Sequence, residues 1–262
     1  MQSTPFLQVR HAAKSFGAVQ ALEDCSITLY GGQIHALVGG NGAGKSTLVE
    51  LIAGNERPDR GEFFVEGERV RITSPRAASS YGIGVVYQNL ALVNALDVSA
   101  NVFLGREEVY GGFFKWLGVL NNRRMRQETI EELDRLHVTI PDVDARVVNM
   151  SGGQRQCIAC ARALMNGAKI LLMDEPTAAL GVREAAQVMD LMRRCRDEGS
   201  AVMLISHNME DVFRLSDKIT VLRLGKSIAT VNTTDVTPDY IVGLITGAIA
   251  PKEEHRQSNE LP

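Results

Sequence analysis

The chain has too few cysteines for a disulfide framework, no excess of basic residues and no long apolar run, and each shortage removes a class of protein. Four cysteines in 262 residues do not staple a fold of this size. Cys157 and Cys160 stand in a C-x-x-C spacing, but no second pair completes a zinc site, so the spacing reads as packing on one face of a helix. Lys and Arg total 28 against 31 Asp and Glu, a formal charge of −3. That balance gives no reason to expect nucleic acid or an anionic membrane surface as the partner. No apolar run approaches the ~20 residues of a membrane-spanning helix. Arg10, His11 and Lys14 interrupt any secretory apolar region near the N-terminus, so the expectation is a cytoplasmic protein.

What remains is ordinary soluble composition, 45% hydrophobic and 23% charged, around one unusual stretch. Gly39 to Thr47 reads GGNGAGKST and fits G-x-x-x-x-G-K-[ST] with Gly39, Gly44, Lys45 and Ser46 in the fixed places. Glycines let backbone N–H groups of Gly40, Asn41, Gly42 and Ala43 close around a polyphosphate, Lys45 adds a positive charge, and Ser46, with Thr47 beside it, offers a hydroxyl to Mg²⁺. Ile34 to Val38 is apolar as a buried parallel strand is, and Leu48, Val49, Leu51 and Ile52 follow at helical spacing until Gly54. The loop therefore joins a strand to a helix N-terminus, where free amides and the helix dipole favour an anion.

Three further strand ends carry chemistry. Ile170 to Met173 ends in Asp174 and Glu175, where Asp174 suits a water-mediated hold on Mg²⁺ and Glu175 suits orienting or deprotonating a water that attacks a γ-phosphate. Ala201 to Ile205 stops at Ser206-His207, which places His207 to hydrogen-bond that phosphate or water. Ile83 to Tyr87 ends at Gln88, on the ligand edge of an α/β sheet or simply in a solvated loop.

Other stretches leave two readings open. Ser151, Gly152, Gly153 and Gln154 satisfy a capping box, yet two glycines in a first turn are costly unless something approaches the backbone, and a second anion site is the functional reading. Phe16 reads equally as a base-stacking aromatic or a core side chain. Short β-like runs at Phe6–Val9 and Ile27–Tyr30 suggest antiparallel edge strands. Gly61 to Ile72 and Ile219 to Val231 read as hairpins. Residues 89–164 turn helical, and Tyr110 to Leu120, with the sole tryptophan, reads as either a docking surface or subdomain core.

Together these residues resemble the nucleotide-binding subunit of an ATP-binding cassette (ABC) transporter over nearly the whole chain. The resemblance makes Gly39–Thr47 the Walker A motif, Gln88 the Q-loop, Met150–Gln154 the signature, Ile170–Glu175 Walker B and His207 the H-loop. It implies an α/β P-loop NTPase (RecA-like) core with an antiparallel β subdomain and an inserted helical subdomain. The expected bounds are one domain over 1–250, with the core at 5–88 and 165–246, the helical part at 89–164, and a polar, disordered tail over 251–262. It also implies an ATPase whose cofactors are ATP and Mg²⁺, with Gln88 joining Ser46 and Asp174 at the metal. Two subunits would sit head to tail, each ATP between one chain's Walker A and the other's Ser151 to Gln154. Integral membrane permease subunits and an external substrate-binding protein complete the implied system, at the inner face of the cell membrane.

The wording QNLALV (Gln88–Val93), FLGRE (Phe103–Glu107), NRRMR (Asn122–Arg126) and EPTAALGVRE (Glu175–Glu184) is similar to importers of simple sugars such as ribose, fructose or xylose. Two positions depart from the wider family, Met150 for leucine and Gly181 where the D-loop usually carries aspartate. The competing readings are an importer of a non-sugar substrate and a soluble ABC ATPase on nucleic acid or ribosomes, the latter of which would usually add coiled coils or a fused second cassette. There is one Walker A and no internal repeat, so a second copy must come from another chain. A subunit with little ATPase activity is the reading that Gly181 favours.

Overall fold

Residues 7–29 fold as two long strands, β1 (Leu7–Phe16) and β2 (Val19–Leu29), rather than as short runs with turns between. Their antiparallel register shifts between Val9 and Phe16, and His11 takes a positive φ of 51°. Each shift flips the inward and outward positions, which hides the alternation from a sequence reading. The computed structural model that shows this describes residues 4–111 and 116–255.

Next come β3 (Gln33–Gly39) and α1 (Lys45–Ala53), then the hairpin β4 (Arg60–Val65) and β5 (Glu68–Val70). Helix α2 (Pro75–Ser80) and β6 (Ile83–Val86) follow. Helices α3 (Val98–Val102), α4 (Asn122–Arg135) and α5 (Gly152–Met165) are inserted between β6 and β7 (Ile170–Asp174). The chain then runs through α6 (Val182–Asp197), β8 (Ala201–Ile205), α7 (Met209–Leu215), β9 (Lys218–Arg223), β10 (Lys226–Asn232) and α8 (Pro238–Thr246).

Among the described residues one ten-stranded sheet takes the order β5-β4-β1-β2-β10-β9-β3-β8-β7-β6. The five strands from β9 to β6 are mutually parallel, while β1, β2, β4 and β5 pair antiparallel. Because side chains alternate along a strand, Ile170 and Leu172 enter the core layer under α1, with Leu48, Leu51 and Ile52. Leu171 and Met173 enter the opposite layer with Leu191 and Met192 of α6 and Ile158 of α5. A third cluster joins Ala36, Val38 and Val221 to Val212 of α7 and Leu244 of α8. The central strands are thus covered on both faces, which is why they read as continuous apolar runs.

In the inserted part, α4 buries only Met125, Thr129 and Leu133, one narrow stripe at four-residue spacing. Cys157 and Cys160 of α5 and Cys195 of α6 are buried in one core cluster, and burial raises the Cys157 and Cys195 thiols to about 12, so they pack as small apolar groups. Helix α3 ends at Val102, with Phe103 as its cap and buried in the core. Near the C-terminal end a 3₁₀ turn forms at Glu253–His255, where His255 Nδ1 lies 3.0 Å from the Tyr240 hydroxyl; the rest of the expected tail, 256–262, lies outside the described residues.

Candidate functional site

Parallel strands bring their C-terminal ends to one edge, so the sequence's scattered strand-end residues become neighbours there. Strand β3 ends at Gly39 and α1 begins at Lys45. A Cβ at Gly39 would stand 2.3 Å from the Leu222 carbonyl oxygen, so the loop leaves the sheet where only glycine fits. Gly42 and Gly44 take φ of 74° and 105°, the left-handed region that suits glycine. The Lys45 ammonium donates to the carbonyls of Gly39 at 2.7 Å and Gly40 at 3.0 Å, holding the loop closed on itself. Asn41, Gly42 and Ser46 are exposed on its outer side, with Gly40, Gly44 and Thr47 half-buried and Ala43 buried.

Strand β7 lies beside β8, and Asp174 pairs in register with Ile205. The Glu175 N–H donates to the Ile205 carbonyl at 2.9 Å, and His207 Nδ1 lies 2.8 Å from Glu175 Oε1. Burial, then the neighbouring Glu175 charge, raises the Asp174 carboxyl above its ordinary range, while Lys45 opposes them. Burial lowers the Lys45 ammonium, and Glu175 and Asp174 act the other way. Asp174, Glu175 and Lys45 are therefore one electrostatic unit, with His207 on its rim.

Gln88 stands exposed two residues past the end of β6. Beside it Tyr87 accepts a 2.7 Å hydrogen bond from Asn55, which also reaches Glu50 of α1. Phe16 is 45% exposed, which removes the core reading, and the Lys14 ammonium sits 5.0 Å over its ring. Strand β2 runs close to the phosphate loop, since a Cβ at Gly44 would meet the Ala21 carbonyl at 2.6 Å.

Ser151 to Gln154 form the N-terminus of α5 with both halves of the capping box made. No hydrogen bond or ion pair among the described residues joins them to Gly39–Thr47. The two glycines have an internal reason as well: a Cβ at Gly152 would stand 2.7 Å from Leu180 Cδ2, and one at Gly153 would stand 3.0 Å from Glu184 Cβ. The close approach that glycines at this position imply is made by the chain's own Leu180, just before α6, and by Glu184 in its first turn. Gly181 caps α6 without a side chain, and Glu184 Oε2 accepts its N–H at 3.2 Å. Along 110–120 the described apolar residues Tyr110, Trp116, Leu117, Val119 and Leu120 are exposed, not core; Gly112 to Lys115 lie outside the described residues.

Sequence reasoning misses two ties at this edge. Thr177 Oγ1 donates to Asp211 Oδ2 at 2.6 Å. Arg162 of α5 donates to the Leu90 and Ala91 carbonyls at 2.9 and 3.0 Å, just beyond Gln88. Neither pair leaves a local signal, because each joins segments far apart in sequence.

A phosphate-loop strand and helix, a carboxylate pair and a histidine at one parallel-sheet edge, with an inserted helical part, define an ATP-binding cassette. The family model described as ABC transporter matches residues 22–178. The chain belongs to that family and is an ATPase of it. The fructose import ATP-binding protein FrcA of Rhizobium meliloti is 42% identical over 256 residues, covering 97% of this chain and 98% of that one. The xylose/arabinose import ATP-binding protein XylG of Sulfolobus acidocaldarius is 46% identical over 222 residues, 85% of this chain and 86% of that one. Ribose import ATP-binding protein RbsA 2 of Escherichia coli O157:H7 is 38% identical over 94% of this chain but only 47% of its own length. In fold, the chain is similar to a nucleotide-free ATP-binding cassette from an ABC transporter, with a TM-score of 0.78 over 93% of this chain and 95% of that one, at 23% identity.

Proposed function

We propose that this chain is the ATP-hydrolysing subunit of an ABC importer for a simple sugar. The observation that carries the sugar assignment is the end-to-end likeness to a fructose import ATP-binding protein, 97% of this chain against 98% of the relative. The nucleic-acid alternative has no comparable support, and the chain's net charge of −3 does not favour it.

The mechanism follows from the edge geometry. Amides of Gly40 to Thr47 and the α1 N-terminus receive the phosphates, and Lys45 exchanges its two loop carbonyls for phosphate oxygens. Phe16, exposed at the end of β1, offers a face for the base. Glu175 orients and deprotonates the attacking water, and His207, whose Nδ1 is taken by Glu175, keeps its other ring nitrogen for the γ-phosphate. Ser46 and Asp174 present oxygen donors that suit a hard cation, with Gln88 at the margin. Among the described residues no group of three or more His, Cys, Asp or Glu could hold an ion alone, so Mg²⁺ would be held jointly with nucleotide oxygens. Bound there, it would neutralise phosphate charge.

In keeping with the family resemblance, a second copy, head to tail, supplies its Ser151 to Gln154 to each ATP. Closure of that dimer would move membrane permease subunits, and the chain would sit peripherally at the inner face of the cell membrane. No helix among the described residues is long and apolar enough to cross it. The test is uptake of labelled pentoses and hexoses by cells whose only copy carries Glu175→Gln. Loss of uptake of at least one sugar is expected; unchanged uptake of all of them overturns the assignment.

A further inference from the structure

The turn that carries Glu175 is tied by side chains to the segment that leads from His207 into α7 at two points, and only one of them is the Glu175–His207 contact itself. Thr177, two residues beyond Glu175, donates its hydroxyl to Asp211, four residues beyond His207, at 2.6 Å. The two ties differ in exposure. The His207 side chain is 76% exposed, so its bond to Glu175 competes with water and holds little by itself. Thr177 and Asp211 are both half-buried, where a charge-assisted hydrogen bond fixes geometry more firmly.

The turn needs holding. Glu175 and Ala179 both take positive φ, 50° and 60°, which costs a residue with a Cβ. Within the turn, backbone bonds run from the Ala178 N–H to the Glu175 carbonyl and from the Leu180 N–H to the Thr177 carbonyl. Helix α7 is anchored in the core by Val212 and Leu215, and its N-cap is Asn208, whose Oδ1 accepts from the Glu210 N–H at 3.0 Å. His207 is the residue just before that cap, so the rotation of α7 sets the direction in which the imidazole leaves the chain.

We propose that Asp211 is a positioning residue for hydrolysis: by accepting the Thr177 hydroxyl it locks the rotation of α7 against the strained turn, and so holds His207 in register with Glu175. The proposal rests on the assignment of Glu175 and His207 to ATP hydrolysis.

The experiment measures ATP turnover and ATP affinity of the full-length chain for Asp211→Ala, Thr177→Val, the double variant, Thr177→Ser and the Glu175→Gln control. Asp211→Ala and Thr177→Val are each expected to lower kcat by about tenfold, as misplacement of a catalytic pair does, with KM and the Kd for ATP unchanged. The double variant falls no further than either single one, because both remove the same bond. Thr177→Ser, which keeps the hydroxyl, stays within about twofold of the unaltered chain and separates the bond from general packing. Unchanged kcat in Asp211→Ala, additive losses, or equal losses in kcat and ATP affinity each overturn the proposal. An unaltered chain no faster than Glu175→Gln overturns the hydrolysis assignment instead, so the two failures are distinct.

Discussion

His207 Nδ1 lies 2.8 Å from Glu175 Oε1, across the gap between the ends of two adjacent parallel strands. Glu175 is largely buried, its side chain 16% exposed against 76% for the histidine. A carboxylate so placed holds one imidazole nitrogen and leaves the other to face solvent or a phosphate. Glu175→Gln keeps size and shape but removes the base, so turnover is expected to fall by at least about 10²-fold while ATP still binds. Steady-state phosphate release together with equilibrium binding of labelled ATP checks this, and a variant within a few-fold of the unaltered chain contradicts the role.

Lys45 spends its charge on the Gly39 and Gly40 carbonyls. Those bonds are available for exchange, because phosphate oxygens are stronger partners for an ammonium than neutral carbonyls are. Lys45→Ala is expected to weaken ATP binding about tenfold or more, the equivalent of one hydrogen bond to a charged group. Titration with a fluorescent ATP analogue reads the effect directly, and an unchanged Kd rules the exchange out.

How much of this was legible depended on how local each signal is. The phosphate loop and the runs at β3, β7 and β8 could be read because every residue that matters is within a few positions of the next. The long β1–β2 hairpin could not, since the bulges around His11 break the period-two pattern on which a strand reading depends. The glycine pair at 152 and 153 announces a close approach, but that Leu180 and Glu184 make it is a fact of tertiary packing. The ties from Thr177 to Asp211 and from Arg162 to Ala91 span 34 and 71 residues, and no spacing rule reaches that far. Setting aside the core reading of Phe16 also needed the structure, because exposure at a hairpin end has no signature in composition.

Arg162 links α5 to the segment after Gln88 through two carbonyls, Leu90 and Ala91. Ala91 takes a positive φ of 48°, so this segment holds a conformation that a loose loop would leave. Arg162→Gln is too short to reach both acceptors. A loss of about 2 kcal/mol in unfolding free energy is expected, within the range for a hydrogen bond to a charged group. Faster amide exchange confined to residues 89–93, with ATP affinity unchanged, is the accompanying signature; exchange that does not change there refutes the link.

Gly181 stands where many family members carry aspartate, and the structure gives the consequence. Helix α6 has only half of a capping box: Glu184 receives the Gly181 N–H, while nothing at position 181 can accept from the amides of the first turn. Gly181→Asp adds that acceptor and is expected to raise stability by about 0.5 kcal/mol, as capping residues exceed glycine by a few tenths of a kcal/mol. Glu184→Ala removes the remaining half and lowers stability by about 1 kcal/mol. Urea unfolding of the two variants and of the pair together checks both, and a Gly181→Asp midpoint below that of the unaltered chain shows that position 181 is constrained by something other than capping.

His35 gives the last prediction, for acid stability. It is fully enclosed in β3, with Nε2 2.7 Å from the Thr220 hydroxyl, and burial, then the Lys218 charge, lowers its pKa from 6.5 to about 3. The sign follows from proton counts. Between these two values the unfolded chain carries a proton on this ring and the folded chain does not, so stability rises with pH and falls on acidification. His35 therefore costs nothing above pH ~7 and, once below its unfolded pKa, up to about 1.4 kcal/mol for each unit of further acidification. His35→Gln keeps a hydrogen-bonding group for Thr220 and removes the titration. Urea unfolding at pH 7 and again near pH 5 is expected to show a smaller loss for the variant than for the unaltered chain. Equal losses in both would mean that the ring is already protonated in the folded protein, or that it is accessible to solvent.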